Sequence, residues 1–136
     1  MPASTPTPAV TVGRIAQIAV LARDVAASVA FYRDVLGLKP LFTVNERLAF
    51  MDCGGVRLMF SPPEIAELDH PASILYFTVG DLDGAHQALA ARGVPCAQPP
   101  QLVARMPDHE LWIAEYRDPA ENIFALMCEK RPARGA

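Results

Sequence analysis

Cysteine and histidine are both scarce in this chain, which has three of each in 136 residues. The cysteines Cys53, Cys96 and Cys128 lie far apart, their number is odd, and no C-x-x-C motif occurs. This pattern argues against a disulfide scaffold and against cysteine-based zinc or redox motifs. We expect three reduced thiols that fill space in the core of a cytoplasmic protein.

Long apolar runs and an excess of positive charge are missing too. The longest apolar segments have the length of strands, so no membrane span is predicted. The net charge is −3 and no basic stripe is present, which argues against nucleic acid as the main partner. The composition is that of a soluble globular protein, since 51% of residues are hydrophobic and 20% are charged.

The periodic segments occur twice in the same order. Asp24 and Asp81 each precede a helical pattern as a potential N-cap, and Gly37 and Gly93 each follow one. The caps are 57 residues apart (81 − 24) and the glycines 56 (93 − 37), which indicates an internal duplication. Each copy reads as one strand, one helix and three strands, and the last three strands of the second copy are predicted near Val94–Ala97, Glu110–Arg117 and Ile123–Cys128. We therefore predict an α+β fold of two tandem βαβββ modules that form a curved mixed sheet around a cavity, with the helices outside.

The predicted boundaries follow from composition. Residues 1–12 are rich in Pro, Ser, Thr and Ala and are expected to be a disordered lead-in, without the features of a signal peptide. The first module covers 13–61, a linker covers 62–71, and the second module covers 72–130. Residues 131–136 are expected to fray.

Two motifs carry a family resemblance. The segment from Ser28 to Leu38, with Phe31-Tyr32 and "VLGL", resembles the first-helix signature of the vicinal oxygen chelate superfamily. That superfamily includes glyoxalases, bleomycin resistance proteins and extradiol dioxygenases. "YRDPAENIFALM" is similar to the "DP-x-GN" hairpin of the same family, with Glu121 in place of its glycine. The likeness extends over roughly residues 14–130, and because this fold supports many reactions it does not name one.

The resemblance implies a divalent metal held by four side chains on the first and last strands of the modules. Aligned with this sequence, the four positions fall on Gln17, Leu58, Ile74 and Ala125. Leucine, isoleucine and alanine have no donor atoms, and one amide oxygen does not hold a metal against water. We therefore expect a member of the family that lacks the usual metal ligands and uses no metal or other cofactor.

An apolar cavity with a few polar groups is expected in place of the metal site. If alternation along the strands holds, its lining consists of Gln17, Leu58, Phe60, Ile74, Tyr76, Trp112, Ala125 and Met127. Phe50 and Met106 are placed at its margin. Gln17 either binds the ligand or bonds a neighbouring strand. The same side chains would also be explained by simple filling of the concave surface.

Glu115 and His109 are the candidates for acid–base catalysis. Glu115 lies in the otherwise apolar strand "ELWIAEY", where a carboxylate must be paired, exposed or protonated. Burial in a cavity would raise its pKa and suit it to proton transfer. The alternative is a salt bridge to Arg47, Arg57 or Arg117. His109 opens the same strand at the predicted mouth of the cavity, where a structural role is the alternative.

Three functions follow, and whether the protein is an enzyme is left open. The first is a metal-independent binding protein of the glyoxalase/bleomycin-resistance type that takes up an aromatic or amphipathic small molecule. The second is a metal-free lyase, isomerase or cyclase that uses Glu115 or His109. The third is a metal-dependent glyoxalase, epimerase or dioxygenase, which the missing ligands disfavour. The resemblance also implies a homodimer, because the exposed sheet edges need a partner.

Overall fold

The computed structural model describes residues 7–132, and most of the predicted C-terminal frayed segment and half of the predicted lead-in lie outside that range. The first half contains β1 (Gln17–Leu21), α1 (Val25–Asp34), β2 (Lys39–Val44), β3 (Leu48–Cys53) and β4 (Val56–Ser61). The second half contains β5 (Leu75–Thr78), α2 (Leu82–Ala91), β6 (Cys96–Arg105), β7 (Glu110–Arg117) and β8 (Ile123–Lys130). The α+β class and the two βαβββ modules are confirmed. A single turn of 3-10 helix, Ala66–Leu68, lies between them.

Both helices begin directly after the predicted N-caps, α2 ends two residues before Gly93, and α1 ends at Asp34, three residues before Gly37. The carboxylates of Asp24 and Asp81 accept hydrogen bonds from the amides of Ala27 and Gly84, at 3.1 and 3.0 Å. These bonds satisfy N–H groups that have no partner within a helix. Gly37 and Gly93 adopt φ of 76° and 73°, the left-handed conformation that ends a helix at little cost for glycine.

The strands form two four-stranded mixed sheets with the same topology. Sheet one has the order β1-β4-β3-β2 and sheet two the order β5-β8-β7-β6. In each sheet the first and last strands of the module pair in parallel, because the helix provides the crossover between them. The described strands of one sheet do not pair with those of the other. The predicted curved sheet is thus divided into two, and no closed barrel forms.

The strand that differs most from the prediction is β6. A short strand was expected near Val94–Ala97, whereas β6 continues to Arg105 through Pro99 and Pro100. Proline cannot donate to a strand ladder, and it is tolerated here because β6 is an edge strand. Its pairing with β7 contains several register shifts around these prolines.

Tyr32 joins the cores of the two modules. Its side chain is 1% exposed, and its ring lies 4.8 Å from that of Phe60 in sheet one. The rings of Phe77 and Phe124 in sheet two are both 6.4 Å away from it. One aromatic side chain on α1 is therefore packed against both sheets, and ring pairs at such distances are favourable beyond the area they bury.

The hydroxyl of Tyr32 holds the turn between β7 and β8. It donates to Asp118 Oδ2 at 2.8 Å, across 86 positions of sequence. Asp118 is only 4% exposed, and its carboxylate also accepts from the backbone amides of Ala120 and Asn122 and from the Asn122 side chain. The same Asn122 Nδ2 donates to Leu21 O of the first module at 2.6 Å. Burial, reinforced by Asp118, raises the pKa of Tyr32 far above its usual value, so the hydroxyl remains a donor.

Replacing Tyr32 with phenylalanine should destabilise the fold. The Y32F variant keeps the ring but leaves the buried Asp118 carboxylate with one partner fewer, which costs about 1–3 kcal/mol of the free energy of unfolding. Urea denaturation followed by circular dichroism measures this value. Y76F is the matched control, because the Tyr76 side chain is 50% exposed. Equal stability of Y32F and Y76F would show that the Tyr32–Asp118 bond does not hold the modules together.

Candidate functional site

Each sheet has one face packed on the helical core and one face that points away from it, which we call the open face. In sheet one, Val20, Met51, Leu58 and Phe60 belong to the core. Because side chains alternate, the residues between them lie on the open face. Two rows of paired residues cross that face: Gln17, Arg57, Asp52 and Lys39 in one, and Ala19, Met59, Phe50 and Phe42 in the next.

The polar row of sheet one contains a fixed guanidinium group. Arg57 Nε donates to Gln17 Oε1 at 2.8 Å, and the Arg57 guanidinium carbon lies 5.1 Å from the ring centroid of Phe50. The amide nitrogen of Gln17 lies 3.5 Å from the sulfur of Met59. Gln17 thus bonds its neighbouring strand, as one of its two predicted roles required. Cation–π contact and the charged hydrogen bond together orient the arginine.

The apolar row opens into a depression beside the linker. Its volume is about 260 Å³, and Ala19, Leu21, Leu48 and Met59 contribute the sheet side of the lining. Leu68 and His70 lie on its linker side. Pockets for small molecules usually measure about 300–1,000 Å³, so this depression is slightly small for one taken alone.

Glu115 lies on the open face of sheet two. Tyr76, Ala125, Glu115 and Gln98 form one paired row there, while Phe124 and Leu126 face the helical core. Ala125 is fully buried and Tyr76 is half exposed. Glu115 is half-buried, and within residues 7–132 it forms no ion pair with Arg47, Arg57 or Arg117. The salt-bridge alternative for Glu115 is therefore not supported within the described chain.

Three residues predicted to line the cavity lie on the opposite face. Leu58 and Phe60 are 2% and 0% exposed and pack in the core beneath α1. Trp112 packs against the core cluster of sheet two, and its indole nitrogen donates to Glu110 at 3.1 Å. The alternation of side chains along a strand explains these errors. Leu58 and Phe60 were misplaced because β4 was assigned with a shift of one residue. Trp112 was misplaced because residues three positions apart on β7, such as Trp112 and Glu115, lie on opposite faces.

His109 and Glu115 are not brought together. They are six positions apart on or next to the extended strand β7, which corresponds to about 20 Å. His109 Nδ1 lies 2.8 Å from Asp108, and its Nε2 lies 3.9 Å from Glu129. Arg131 forms ion pairs with Asp108 and Glu129, at 2.7 and 2.9 Å. The hydrogen bonds of Arg131 and His109 to Asp108 lower the pKa of that carboxyl group to about 2. His109 thus belongs to a charged cluster where β8 ends.

The strand register corrects the predicted metal position in module one. Ile18 pairs with Leu58, and Leu75 pairs with Phe124, so equivalent residues are offset by 57 on the first strands (75 − 18) and by 66 on the last (124 − 58). Ala125 therefore corresponds to Met59. The corrected set is Gln17, Met59, Ile74 and Ala125, which offers an amide and a thioether but no imidazole or carboxylate. These residues do not fit a hard divalent cation or a catalytic zinc.

The remaining predicted ligand-binding positions are divided between the two sheets, with Gln17 on sheet one and the others on or next to sheet two. Gln17, Tyr76, Ala125 and Met127 lie on open faces by register, and Ile74 is 43% exposed just before β5.

Sequence reasoning missed the arrangement of Arg57 with Gln17, because Arg57 had been considered only as a partner for Glu115. The polar residues Arg57 and Ser61, four positions apart at the two ends of β4, were the signal that would have placed the odd-numbered residues on the open face. Sequence reasoning also missed the contact of 2.8 Å between His86 Nδ1 and the Tyr116 hydroxyl. Burial, with a smaller effect of Cys96, raises the pKa of Tyr116 to about 12.

Two βαβββ modules that each present an open sheet face define a small-molecule-binding fold. The chain belongs to the Glyoxalase/Bleomycin resistance protein/Dioxygenase superfamily, whose family model matches residues 14–126. The uncharacterized protein YraH of Bacillus subtilis (strain 168) is 30% identical over 129 residues, covering 83% of this chain and 96% of YraH. The suspected resemblance is confirmed.

Solved structures share the fold. A lactoylglutathione lyase from Agrobacterium tumefaciens is 25% identical with a TM-score of 0.63, and the match covers 85% of this chain and 92% of that one. A glyoxalase/bleomycin resistance protein/dioxygenase family enzyme from Burkholderia phytofirmans PsJN is 20% identical with a TM-score of 0.70, covering 85% and 98%. These likenesses show the fold, and the fold does not determine the reaction.

Purified protein should contain no stoichiometric Ni, Zn, Mn or Fe. Within residues 7–132 no three His, Cys, Asp or Glu residues are grouped as metal ligands, and Met59, Ile74 and Ala125 occupy three of the four family positions. Elemental analysis by mass spectrometry, before and after dialysis against a chelator, provides the measurement. A full equivalent of metal that is lost with the chelator would contradict the assigned register.

Proposed function

We propose that this chain is a metal-independent small-molecule-binding protein of the glyoxalase/bleomycin-resistance type, acting in the cytoplasm. The observation that carries the proposal is the composition of the open face of sheet one. Phe42 and Val44 remain 50% and 39% exposed there, beside Phe50 and Met59. Exposed apolar surface next to a few fixed polar groups is typical of a binding site. An aromatic or amphipathic ligand fits this surface.

The same features support a homodimer. Within residues 7–132, the outer strands β1 and β5 each have one edge without a strand partner. Tyr76 is exposed on β5, and Ile15 and Ile74 are exposed just before β1 and β5. Unpaired edges with apolar side chains are liable to associate. A second copy placed against these edges would cover the open faces and enlarge the depression of about 260 Å³. In this arrangement the ligand is enclosed between modules of two chains.

A metal-free enzyme is the second candidate, favoured by one observation. Glu115 is a half-buried carboxylate without an ion-pair partner in the described chain, next to the small side chain of Ala125. Such a group can act as a general base if a substrate proton lies within hydrogen-bonding distance. His109 does not assist it, because about 20 Å separate the two. A lyase, isomerase or cyclase reaction would therefore rest on Glu115 alone.

Binding should be blocked by filling the open face. In Ala19→Trp the indole would occupy the depression beside Met59, and because Ala19 is exposed the fold should remain intact. We expect wild-type protein to show thermal shifts with members of a panel of aromatic compounds, and A19W to bind them at least about tenfold more weakly. Ala91→Trp, an exposed position at the end of α2, is the matched control.

The panel also separates the two candidate functions. A sequestering protein returns each bound compound unchanged, and Glu115→Gln leaves its affinity within about threefold of wild type. Chemical turnover detected by mass spectrometry, lost in a folded E115Q variant, would instead establish the enzyme. Equal binding by A19W and wild type would refute the open face as the site.

The dimer is tested by sedimentation velocity at micromolar concentration. Wild-type protein should sediment as two chains, and Tyr76→Glu should dissociate it, because a charge at the β5 edge opposes burial there. Lys39→Glu, at the far end of the sheet-one row, should remain dimeric. Wild-type protein that sediments as a monomer at a concentration of about 50 μM would contradict the proposed dimer.

A further inference from the structure

We propose that Arg57 is an oxyanion-recognition residue, so that the ligand of this protein carries a carboxylate or a phosphate attached to an apolar body. The inference rests on the proposed function, since it assigns the chemistry of the ligand to the same open face. It concerns a residue outside the four family metal positions. The supporting features are the orientation of the guanidinium, the lack of an ion pair between it and any carboxylate of residues 7–132, and the apolar surface beside it.

The orientation of Arg57 leaves its binding edge available. The Nε atom is used by Gln17, and the guanidinium lies near the ring of Phe50. Gln17 itself is positioned by the contact of its amide nitrogen with Met59. The two terminal nitrogens make no hydrogen bond to any residue in the described chain. Those two nitrogens form the edge that binds carboxylate or phosphate in a bidentate manner.

The charge of Arg57 is not neutralised by its neighbour. Asp52 is the cross-strand partner of Arg57, yet within the described chain its carboxylate forms no salt bridge and instead accepts the amide of Gly55 at 3.3 Å. Most other ion pairs on this chain are formed by arginines and acids at loops and strand ends. An oriented arginine that borders the apolar row, and that forms no ion pair with a carboxylate of residues 7–132, is therefore suited to an anion from outside the chain.

The surface next to Arg57 determines the rest of the ligand. Ala19 and Met59 lie in the adjacent row, and residues two apart on one face are separated by about 6–7 Å. An oxyanion bound by Arg57 would place an attached ring or alkyl chain over Ala19 and Met59, toward the depression of about 260 Å³. Preorganisation matters here because little side-chain entropy is lost when the arginine is already held. The ligand class is thus an aromatic or aliphatic acid or phosphate ester.

The test compares 2-naphthoate with the neutral 2-naphthamide, which has nearly the same shape. Nuclear magnetic resonance follows the Arg57 Nε–H signal and the Met59 methyl signal in the full chain. Wild-type protein should bind the acid at least about tenfold more tightly than the amide. Arg57→Gln should bind both equally, and Arg57→Lys should retain only part of the preference because lysine cannot bind in a bidentate manner. Arg47→Gln, on the β2–β3 turn, serves as the matched control and should keep the full preference.

Two further arms identify the anion and guard against alternatives. Titration with inorganic phosphate and with acetate should give a saturable shift at Arg57, and the tighter of the two indicates whether phosphate or carboxylate is the natural group. The inference is overturned if the acid has no advantage over the amide, if R57Q keeps that advantage, or if no probe saturates the Arg57 signal. It is also overturned if R57Q sediments as a monomer while wild type is a dimer, since Arg57 would then pair with a carboxylate of a second copy.

The outcomes separate this inference from the proposed function. If 2-naphthamide shifts the Met59 methyl and the acid binds no better, the open face remains a binding site and only the anion assignment fails. If phosphate saturates Arg57 while neither naphthyl compound affects Met59, the anion assignment stands and the apolar site fails. Loss of both responses rejects both.

Discussion

The hydrogen bond between Tyr32 and Asp118 is the contact on which the arrangement of the modules depends. Asp118 is a buried carboxylate, and an uncompensated buried charge is among the most costly features a core can contain. Its compensation comes from both modules, because Tyr32 belongs to the first and the amides of Ala120 and Asn122 to the second. The turn that starts β8 is thereby fixed relative to α1 and, through Asn122, to the end of β1. The position of Ala125 on its open face follows from that turn.

The open faces and the cores of the two sheets differ in how polar side chains are arranged. On the core side, aromatic and aliphatic groups pack between helix and sheet, as Phe60 and Leu58 illustrate. On the open face of sheet one, a polar row lies next to an apolar row. The hydrogen bonds of Gln17 orient the polar side chains and do not belong to a buried network. A family metal supplies two positive charges at such a face. Here the four positions offer no imidazole or carboxylate, and a permanent guanidinium charge lies in the same row as Gln17.

Much of the fold could be predicted from the sequence because the signals were local. Asp24 and Asp81 cap their helices, and the spacing of 57 residues revealed the repeat, since both depend only on nearby residues. Long-range register was harder. Leu58, Phe60 and Trp112 were placed on the wrong faces because a strand that is apolar on both sides gives no alternation to read. The extension of β6 through Pro99 and Pro100 escaped detection because an edge strand tolerates what a central strand does not.

The hydrogen bond between Tyr32 and Asp118 is asymmetric, because its donor and its acceptor belong to different modules. The equivalent position in α2, 57 residues later, is Leu89, which has no hydroxyl and lies in the core of sheet two. The first half of the chain therefore contributes the donor, and the second half the acceptor. Although the halves share one topology, they are complementary parts and not interchangeable copies. A chain that joined two first halves would contain Tyr32 twice and would lack the Asp118 turn that accepts its hydrogen bond.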